Sequence, residues 1–299
     1  MRQFQGIITP LITSFDADGA INERGIHALI DFLADQGIDG VFAVGSYGQF
    51  PMMNVEERMR VAAIMVAKAR TRGLKTIVQV GAAGRRDAIA LAQHAASLGV
   101  DAVASVVPYY YSGVGYEDTV LLEHYDALVK SVDVPVHFYN NPKTTGYTLK
   151  PAMLSALIDV GVRGMKDSGS DITVFGEMLN VVSRKRQEFD LMPGSGALLL
   201  TGLVLGAEAC VAGTSAAFPE LVVRCYRMFK EGKLAEAAAL QLRIIEARSI
   251  QGARGFRSAA CYDLLRLRGI DVGTCRKPWR RWTADEEADI RARLTQANL

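Results

Sequence analysis

Apolar positions along the chain fall into eight short runs that are separated by longer stretches with helical periodicity. The short runs are apolar or rich in β-branched residues, as is typical of buried strands, and they cover residues 6–13, 40–44, 76–80, 101–107, 134–139, 162–166, 189–192 and 209–213. The stretches between them predict helices at residues 22–36, 55–71, 85–98, 116–130, 150–160, 171–186 and 197–205. Regular alternation of strands and helices indicates a parallel sheet with crossover helices.

The junctions between these elements support the same count. Asn22 and Asn54 are suitable N-caps because acidic residues follow them in the first helical turn. Several predicted helices stop at a glycine, after which a turn begins the next strand; these are Gly37, Gly99, Gly161 and Gly206. Eight such units predict an α/β fold of the closed (β/α)8 TIM-barrel type. The rival, an open doubly wound sheet, lacks its usual phosphate motifs here, since neither G-x-G-x-x-G after the first strand nor a P-loop occurs.

The predicted strands stop after about residue 217, and only helical patterns follow, at residues 220–230, 233–249, 256–267 and 284–297. We therefore divide the chain into a catalytic barrel, residues 1–218, and a C-terminal helical extension, residues 219–299. One weakly charged stretch, residues 196–218, has Glu208 as its single charged residue. Glycines interrupt it, so a buried helix followed by a buried strand is the better interpretation, and we expect no membrane partner.

Composition narrows the class of partner and the compartment. The chain has 299 residues, 49% of them hydrophobic, and a net charge of +2 without a dense basic block, so nucleic-acid binding is not expected. None of the four cysteines forms a C-x-x-C pair. This favours buried thiols in a reducing cytosol over a disulfide framework, and we expect a cytoplasmic protein.

Lys166 is the most informative residue of the chain. It ends the predicted strand 162–166, and the alternation of side chains places Val162, Gly164 and Lys166 on one face. An ammonium sheltered from water is costly, and the same burial lowers its pKa and makes the amine nucleophilic toward ketones. The alternative is a lysine that only marks where the strand reaches water, and this segment alone leaves both interpretations open.

Other candidate residues come from the loops that follow the predicted strands, where barrels collect their functional groups. The glycines of 45–48 either permit a tight turn or expose N–H groups that, with the Ser46 hydroxyl, would hold a carboxylate. The tyrosines of 109–111 either pack or relay protons. The run Gly194-Ser195-Gly196 forms either a helix start or a site for substrate hydroxyls. The four histidines are scattered, so we expect neither a metal nor another cofactor.

Four motifs in order carry a family resemblance: Gly45-Ser46-Tyr47-Gly48, Tyr110, Tyr139-Asn140-Asn141-Pro142 and Met165-Lys166-Asp167-Ser168. With them, nearly the whole chain resembles the dihydrodipicolinate synthase / N-acetylneuraminate lyase family of class I aldolases. The resemblance implies a barrel with a helical tail, usually a homotetramer built as a dimer of dimers. It also implies an enzyme that acts on pyruvate or another small 2-keto acid through a lysine Schiff base.

The resemblance assigns expected roles residue by residue. Lys166 is expected to form the Schiff base, and Tyr139 to move the proton at the substrate carbonyl or hydroxyl. Ser46 and the N–H of Tyr47 are expected to hold the substrate carboxylate. Tyr110 is expected to join Ser46 in a proton relay, and in the family its equivalent often reaches across a dimer interface. Substrate binding is further expected of Thr144, Gly194 and Ser195.

Departures from the family pattern guide the choice of substrate. Tyr47 and Gln49 replace a threonine and an acid of the usual loop, and Thr144 stands where dihydrodipicolinate synthases carry an arginine. A neutral hydroxyl cannot form the bidentate ion pair of an arginine. The pattern is closer to the branch that cleaves or dehydrates 2-keto-3-deoxy sugar acids. Two alternatives stay open: a 4-hydroxy-tetrahydrodipicolinate synthase that condenses pyruvate with aspartate semialdehyde, and a non-catalytic barrel that binds a keto acid.

Overall fold

The computed structural model describes residues 3–185 and 187–299, and within them eight parallel strands form one sheet. The strands are β1 (Gly6–Pro10), β2 (Gly40–Ala43), β3 (Lys75–Gln79), β4 (Ala102–Ser105), β5 (Val136–Asn140), β6 (Gly164–Asp167), β7 (Asp190–Pro193) and β8 (Ala209–Val211). They pair in the order β7-β6-β5-β4-β3-β2-β1-β8. The Cys210 Sγ atom of β8 lies 3.3 Å from the Pro193 carbonyl oxygen of β7. The two sheet edges therefore meet in a nearly closed barrel, and the predicted TIM-barrel fold is confirmed.

Helices connect the strands along most of the chain. They are α1 (Glu23–Asp35), α2 (Val55–Thr71), α3 (Arg85–Ser97), α4 (Asp118–Lys130), α5 (Pro142–Thr145), α6 (Pro151–Asp159), α7 (Ile172–Lys185) and α8 (Leu199–Val204). The Asn22 side chain accepts a hydrogen bond from the Gly25 N–H, and Asn54 forms a capping box with Glu57. Both predicted caps are thus confirmed. Residue 186, the predicted end of the seventh helix, lies outside the described residues.

Predicted and observed elements differ mainly at their ends. The predicted strands 6–13 and 101–107 are longer than β1 and β4 because the residues after each strand stay apolar and buried. Leu11, Ile12, Val106 and Val107 are buried but lie beyond the ends of the two strands. An apolar run reports burial, whereas a strand end is set by backbone hydrogen bonds. The short helix α5 was not predicted; Pro142 begins it and Gly146, with φ of 70°, ends it.

Four helices follow the last strand: α9 (Pro219–Lys230), α10 (Leu234–Gly252), α11 (Arg257–Leu267) and α12 (Ala284–Gln296). The predicted C-terminal helical extension is therefore present. Helix α9 contacts β1 and α8, whereas α10 contacts α9, α11 and α12. Because α9 also packs on the barrel, the proposed domain boundary at residue 218 stays a prediction.

The turn between α10 and α11 brings the C-terminal helical extension close to the loop that follows β2. The Ser258 hydroxyl there donates to the Tyr47 carbonyl oxygen at 2.7 Å. The four cysteines are free and buried, as the sequence suggested. In the part of the chain that the structure describes, no helix is long and apolar enough to cross a bilayer.

Candidate active site

Lys166 lies inside the barrel near the carboxyl end of β6, and its side chain is only 4% exposed. Its Nζ atom is 4.0 Å from the ring centroids of both Phe42 and Tyr139, so two aromatic faces enclose the amine. It forms no salt bridge with any carboxylate in residues 3–185 and 187–299. Burial lowers the pKa of Lys166 because it disfavours the ammonium, although the nearby Tyr139 phenol opposes this. The amine is thereby made more available as a nucleophile.

Tyr139 stands beside this lysine because their Cα atoms are register partners on β5 and β6. Its hydroxyl lies 3.3 Å from the Ser46 hydroxyl and accepts a hydrogen bond from the Asn141 amide at 3.3 Å. Burial by itself would raise the pKa of Tyr139, but the Lys166 charge and the hydrogen bond to Ser46 act against it, and the net direction is downward. Lysine and phenol thus form a coupled pair across which a proton can move.

The loop 45–48 presents backbone donors to the same place. The N–H groups of Ser46 and Tyr47 donate to no backbone or side-chain acceptor among the described residues. The loop is flanked by two left-handed residues, Val44 with φ of 53° and Gln49 with φ of 56°. Positive φ is unusual for a β-branched residue, and backbone strain of this kind is frequent at functional sites. The predicted anion cradle is therefore available in geometry, and its role stays a prediction.

The Tyr47 side chain crosses the cavity and packs against the loop after β8. A Cβ atom built on Gly213 would lie 2.4 Å from the Tyr47 hydroxyl oxygen, so only glycine leaves room for this phenol. Burial raises the pKa of Tyr47 well above its ordinary value, so the phenol stays neutral. Gln49, the other departure in this loop, accepts from the Arg276 N–H at 3.1 Å and fixes the C-terminal segment.

Three further predicted residues line the same cavity. Thr144 directs its hydroxyl to the Asn141 carbonyl oxygen at 3.3 Å. The Ser195 hydroxyl accepts from the Ala197 N–H at 3.3 Å, so it caps a turn as well as lining the wall. Gly194 is required by space, because a Cβ atom there would lie 2.4 Å from the Ser168 hydroxyl oxygen. Whether these residues bind substrate stays a prediction.

Tyr110 is not part of the cavity of its own chain. Its side chain is 82% exposed, and its φ of 82° turns the ring outward, where it packs edge-on against Tyr111. Tyr109 instead packs inward against Phe50. Among the described residues of one chain, no hydrogen bond joins Tyr110 to Ser46. A relay that completes the site of a second subunit stays a prediction.

The residues described so far enclose a cavity of about 230 Å³. It is lined by Pro10, Ser46, Tyr47, Tyr139, Asn141, Lys143, Thr144, Lys166, Ser168, Ser170, Gly194, Ser195, Gly196, Val211, Gly213, Thr214, Arg248, Gly255, Phe256 and Arg257. No aspartate or glutamate of the described chain is among these residues, whereas two lysines and two arginines are. The cavity is thus built to attract an anion.

Sequence reasoning missed several of these residues. The Asn141 amide donates to both the Ser46 and the Tyr139 hydroxyl oxygens, at 3.2 Å and 3.3 Å, and so holds the two together. Asn141 was recognised only as part of a turn motif. Arg248 and Arg257 were missed because they lie in the helical extension, where arginines are usually solvated. Within the described residues, no group of three or more His, Cys, Asp or Glu side chains could hold a metal ion.

Comparison with known proteins identifies the family of the chain and several related sequences. The sequence model of the dihydrodipicolinate synthetase family matches residues 3–297. The chain belongs to this family. An uncharacterized DapA-like lyase of Halobacterium salinarum is 34% identical over 295 residues, which covers 98% of this chain and 94% of the relative. The probable 2-dehydro-3-deoxy-D-pentonate aldolase YjhH of Escherichia coli is 32% identical over 84% of this chain and 82% of the relative.

Among solved structures, the prophage protein YagE of Escherichia coli K12 in complex with pyruvate is a close match. It superposes with a TM-score of 0.93 at 28% identity and covers 99% of both chains. As a member of this family the chain is an enzyme, a Schiff-base aldolase or lyase. The family resemblance that the motifs indicated is thus confirmed.

Proposed function

We propose that the chain is a pyruvate-type lyase that cleaves or dehydrates a 2-keto-3-deoxy sugar acid through an imine of Lys166. The observation that carries this proposal is the buried amine, enclosed at 4.0 Å by the rings of Phe42 and Tyr139. A buried ammonium destabilises the folded protein, whereas the neutral amine is a good nucleophile toward a ketone. The relative YjhH, which is named as an aldolase of a 2-dehydro-3-deoxy sugar acid, supports the same substrate class.

The chemistry follows from the positions of the two groups. The neutral Lys166 amine attacks the C2 carbonyl carbon, and the Tyr139 phenol supplies the proton with which water leaves, so that a protonated imine and a Tyr139 phenolate result. The phenolate takes the proton of the C4 hydroxyl, the C3–C4 bond breaks, and its electrons enter the imine to form an enamine while an aldehyde leaves. The Tyr139 phenol then gives this proton to C3, and hydrolysis of the new imine releases pyruvate and the free amine and returns the remaining proton to the phenolate.

Dehydration is the alternative fate of the same imine. The Tyr139 phenolate then takes the C3 proton and, as the phenol, gives it to the C4 hydroxyl, which leaves as water. In either case Ser46 and the Tyr47 N–H would hold the substrate carboxylate, and Ser195 with the backbone of Gly194 would face substrate hydroxyls. Tyr110 would complete the relay from a neighbouring subunit of a homo-oligomer, a dimer of dimers.

The synthase alternative is disfavoured by Thr144. This residue offers a hydroxyl that already donates to the Asn141 carbonyl oxygen. It cannot hold the carboxylate of aspartate semialdehyde as an arginine would. A barrel that binds keto acids without turnover is disfavoured because Lys166 and Tyr139 both stand in the cavity.

Borohydride reduction in the presence of pyruvate tests the proposal. We expect a stable adduct on the intact protein by mass spectrometry, and none on Lys166→Ala, whose circular dichroism should match the wild type. Cleavage of 2-keto-3-deoxy sugar acids is then compared with condensation of pyruvate and aspartate semialdehyde. An active or trapped Lys166→Ala protein would refute the lysine mechanism, and a preference for the semialdehyde would favour the synthase.

A further inference from the structure

Two arginines of the cavity wall, Arg248 and Arg257, lack the carboxylate partners that most arginines of the helical extension have. Eight arginines after residue 250 form salt bridges with acidic side chains: Arg254, Arg266, Arg268, Arg276, Arg280, Arg281, Arg291 and Arg293. Neither Arg248 nor Arg257 forms such a bridge within residues 3–185 and 187–299, and both are partly buried. Two unpaired guanidinium groups at one cavity are available to bind an anion.

The local structure holds these two side chains in place. The Arg257 Nε atom donates to the Arg248 carbonyl oxygen at 3.3 Å, which fixes the plane of the Arg257 guanidinium. A Cβ atom built on Gly252 would lie 2.9 Å from that Nε atom, so the absence of a side chain at residue 252 lets Arg257 lie across the helix. The terminal nitrogens of both arginines donate to no acceptor in the described part of the chain. They present forked donors of the kind that bind carboxylates and phosphates in two-point contacts.

Electrostatics point the same way. Burial lowers the pKa of Arg248, and repulsion by Arg257 adds to this effect. An anion between the two groups would relieve that repulsion. Tyr47, Tyr139 and both arginines line the same cavity.

We infer that the substrate carries a second anionic group, a carboxylate or phosphate at the end remote from its keto acid, and that Arg248 and Arg257 bind it. This inference rests on the proposed function, which places the first carboxylate at Ser46 and the C2 carbon at Lys166. The remaining carbons then extend past Tyr47 toward the two arginines. A sugar acid that ends in a primary alcohol would leave both guanidinium groups without a partner.

Three substrates that differ at one end test this inference. They are 2-keto-3-deoxy sugar acids of equal chain length ending in a primary alcohol, a carboxylate or a phosphate. Charged hydrogen bonds of this kind typically discriminate by about 10- to 100-fold. We therefore expect the kcat/KM of the wild type to be higher by about that factor for one of the anionic substrates than for the substrate that ends in an alcohol. Higher ionic strength should reduce this preference. The comparison of carboxylate with phosphate identifies which anion the site accepts.

The variants are Arg248→Gln, Arg257→Gln and the double variant, with Arg254→Gln as the matched control. Arg254 lies three residues before Arg257 but pairs with Asp289 at 2.7 Å and does not line the cavity. We expect each single variant to lose part of the preference, the double variant to lose it all, and the control to keep it. If the double variant does not fold, the loss of preference in each single variant still tests the inference.

The outcomes separate this inference from the proposed function. Equal kcat/KM for all three substrates, or a preference that survives in the double variant, overturns the inference while borohydride trapping and turnover leave the lyase assignment intact. Failure of trapping together with absence of any cleavage or dehydration overturns the proposed function, and the inference with it. Normal trapping by the double variant, with loss only of the anionic preference, supports both.

Discussion

Replacing Lys166 by methionine should stabilise the folded protein while it removes activity. The amine is 4% exposed, has no carboxylate partner in the described chain and lies between two aromatic rings. Methionine has a similar length and no charge, so it fills the same space without the cost of a sheltered ammonium. The prediction tests whether the nucleophile is maintained against folding stability.

The size of the effect follows from burial. Replacing buried ionic groups by apolar side chains of similar volume often stabilises proteins by about 1–4 kcal/mol. The two ring contacts at 4.0 Å return part of the cost for lysine. We therefore expect Lys166→Met to raise the free energy of unfolding at pH 7 by about 1–3 kcal/mol.

The sign of the pH dependence is fixed by the direction of the pKa shift. Burial lowers the pKa of folded Lys166, so the unfolded chain binds more protons than the folded one between the two pKa values. The cost of the lysine is complete below the folded pKa and disappears above the unfolded value of about 10.4. The advantage of Lys166→Met should accordingly be smaller at pH 9.5 than at pH 7.

Urea unfolding at equal protomer concentration measures the difference, since association also contributes to stability. Lys143→Met is the matched control, because Lys143 lines the same cavity but is exposed. It should change stability by less than about 0.5 kcal/mol. A Lys166→Met protein that is equally or less stable than the wild type at pH 7, or an advantage that grows with pH, would refute the reasoning.

Two further predictions concern the groups around the amine. Tyr139→Phe removes the hydroxyl that carries the proton but keeps the ring over Lys166. We therefore expect kcat to fall by about 100-fold or more, with a smaller change in KM. A kcat near the wild-type value would show that Tyr139 does not transfer the proton. Gly213→Ala places a methyl group 2.4 Å from the Tyr47 hydroxyl oxygen and should displace the phenol, raising KM for the sugar acid while pyruvate trapping persists. The double variant Gly213→Ala/Tyr47→Phe, which lacks the clashing oxygen, should recover part of the loss, and unchanged KM in Gly213→Ala would contradict the described position of Tyr47.

The barrel could be predicted from the sequence because buried strands appear there as short runs of apolar residues. Most strands are apolar, and a glycine or an N-cap marks many junctions, so the number and order of the elements follow from the sequence. Lys166 and Tyr139 were also within reach, since a polar residue at the end of an apolar strand needs an explanation. Their closeness depends on the parallel pairing of β5 and β6, which follows from chain order in a barrel.

The remaining parts of the site depend on features that leave no local pattern. Arg248 and Arg257 lie in helices whose other arginines, Arg243 and Arg266, bond to groups outside the cavity, and only the fold of the extension brings these two to the cavity. The orientation of Tyr110 depends on its positive φ, which three consecutive tyrosines do not reveal. The position of the Tyr47 phenol likewise depends on space above Gly213, more than 160 residues away along the chain.

The pairing of Tyr139 with Lys166 across two neighbouring strands separates chemistry from selectivity in this molecule. Backbone ladder hydrogen bonds set the position of one Cα atom relative to the other, so neither depends on the conformation of a loop. The loops and the helical extension can therefore accumulate mutations, lengthen or exchange side chains without moving the amine away from the phenol. Such an arrangement lets new substrates be acquired by drift at the rim while the reacting pair is inherited unchanged.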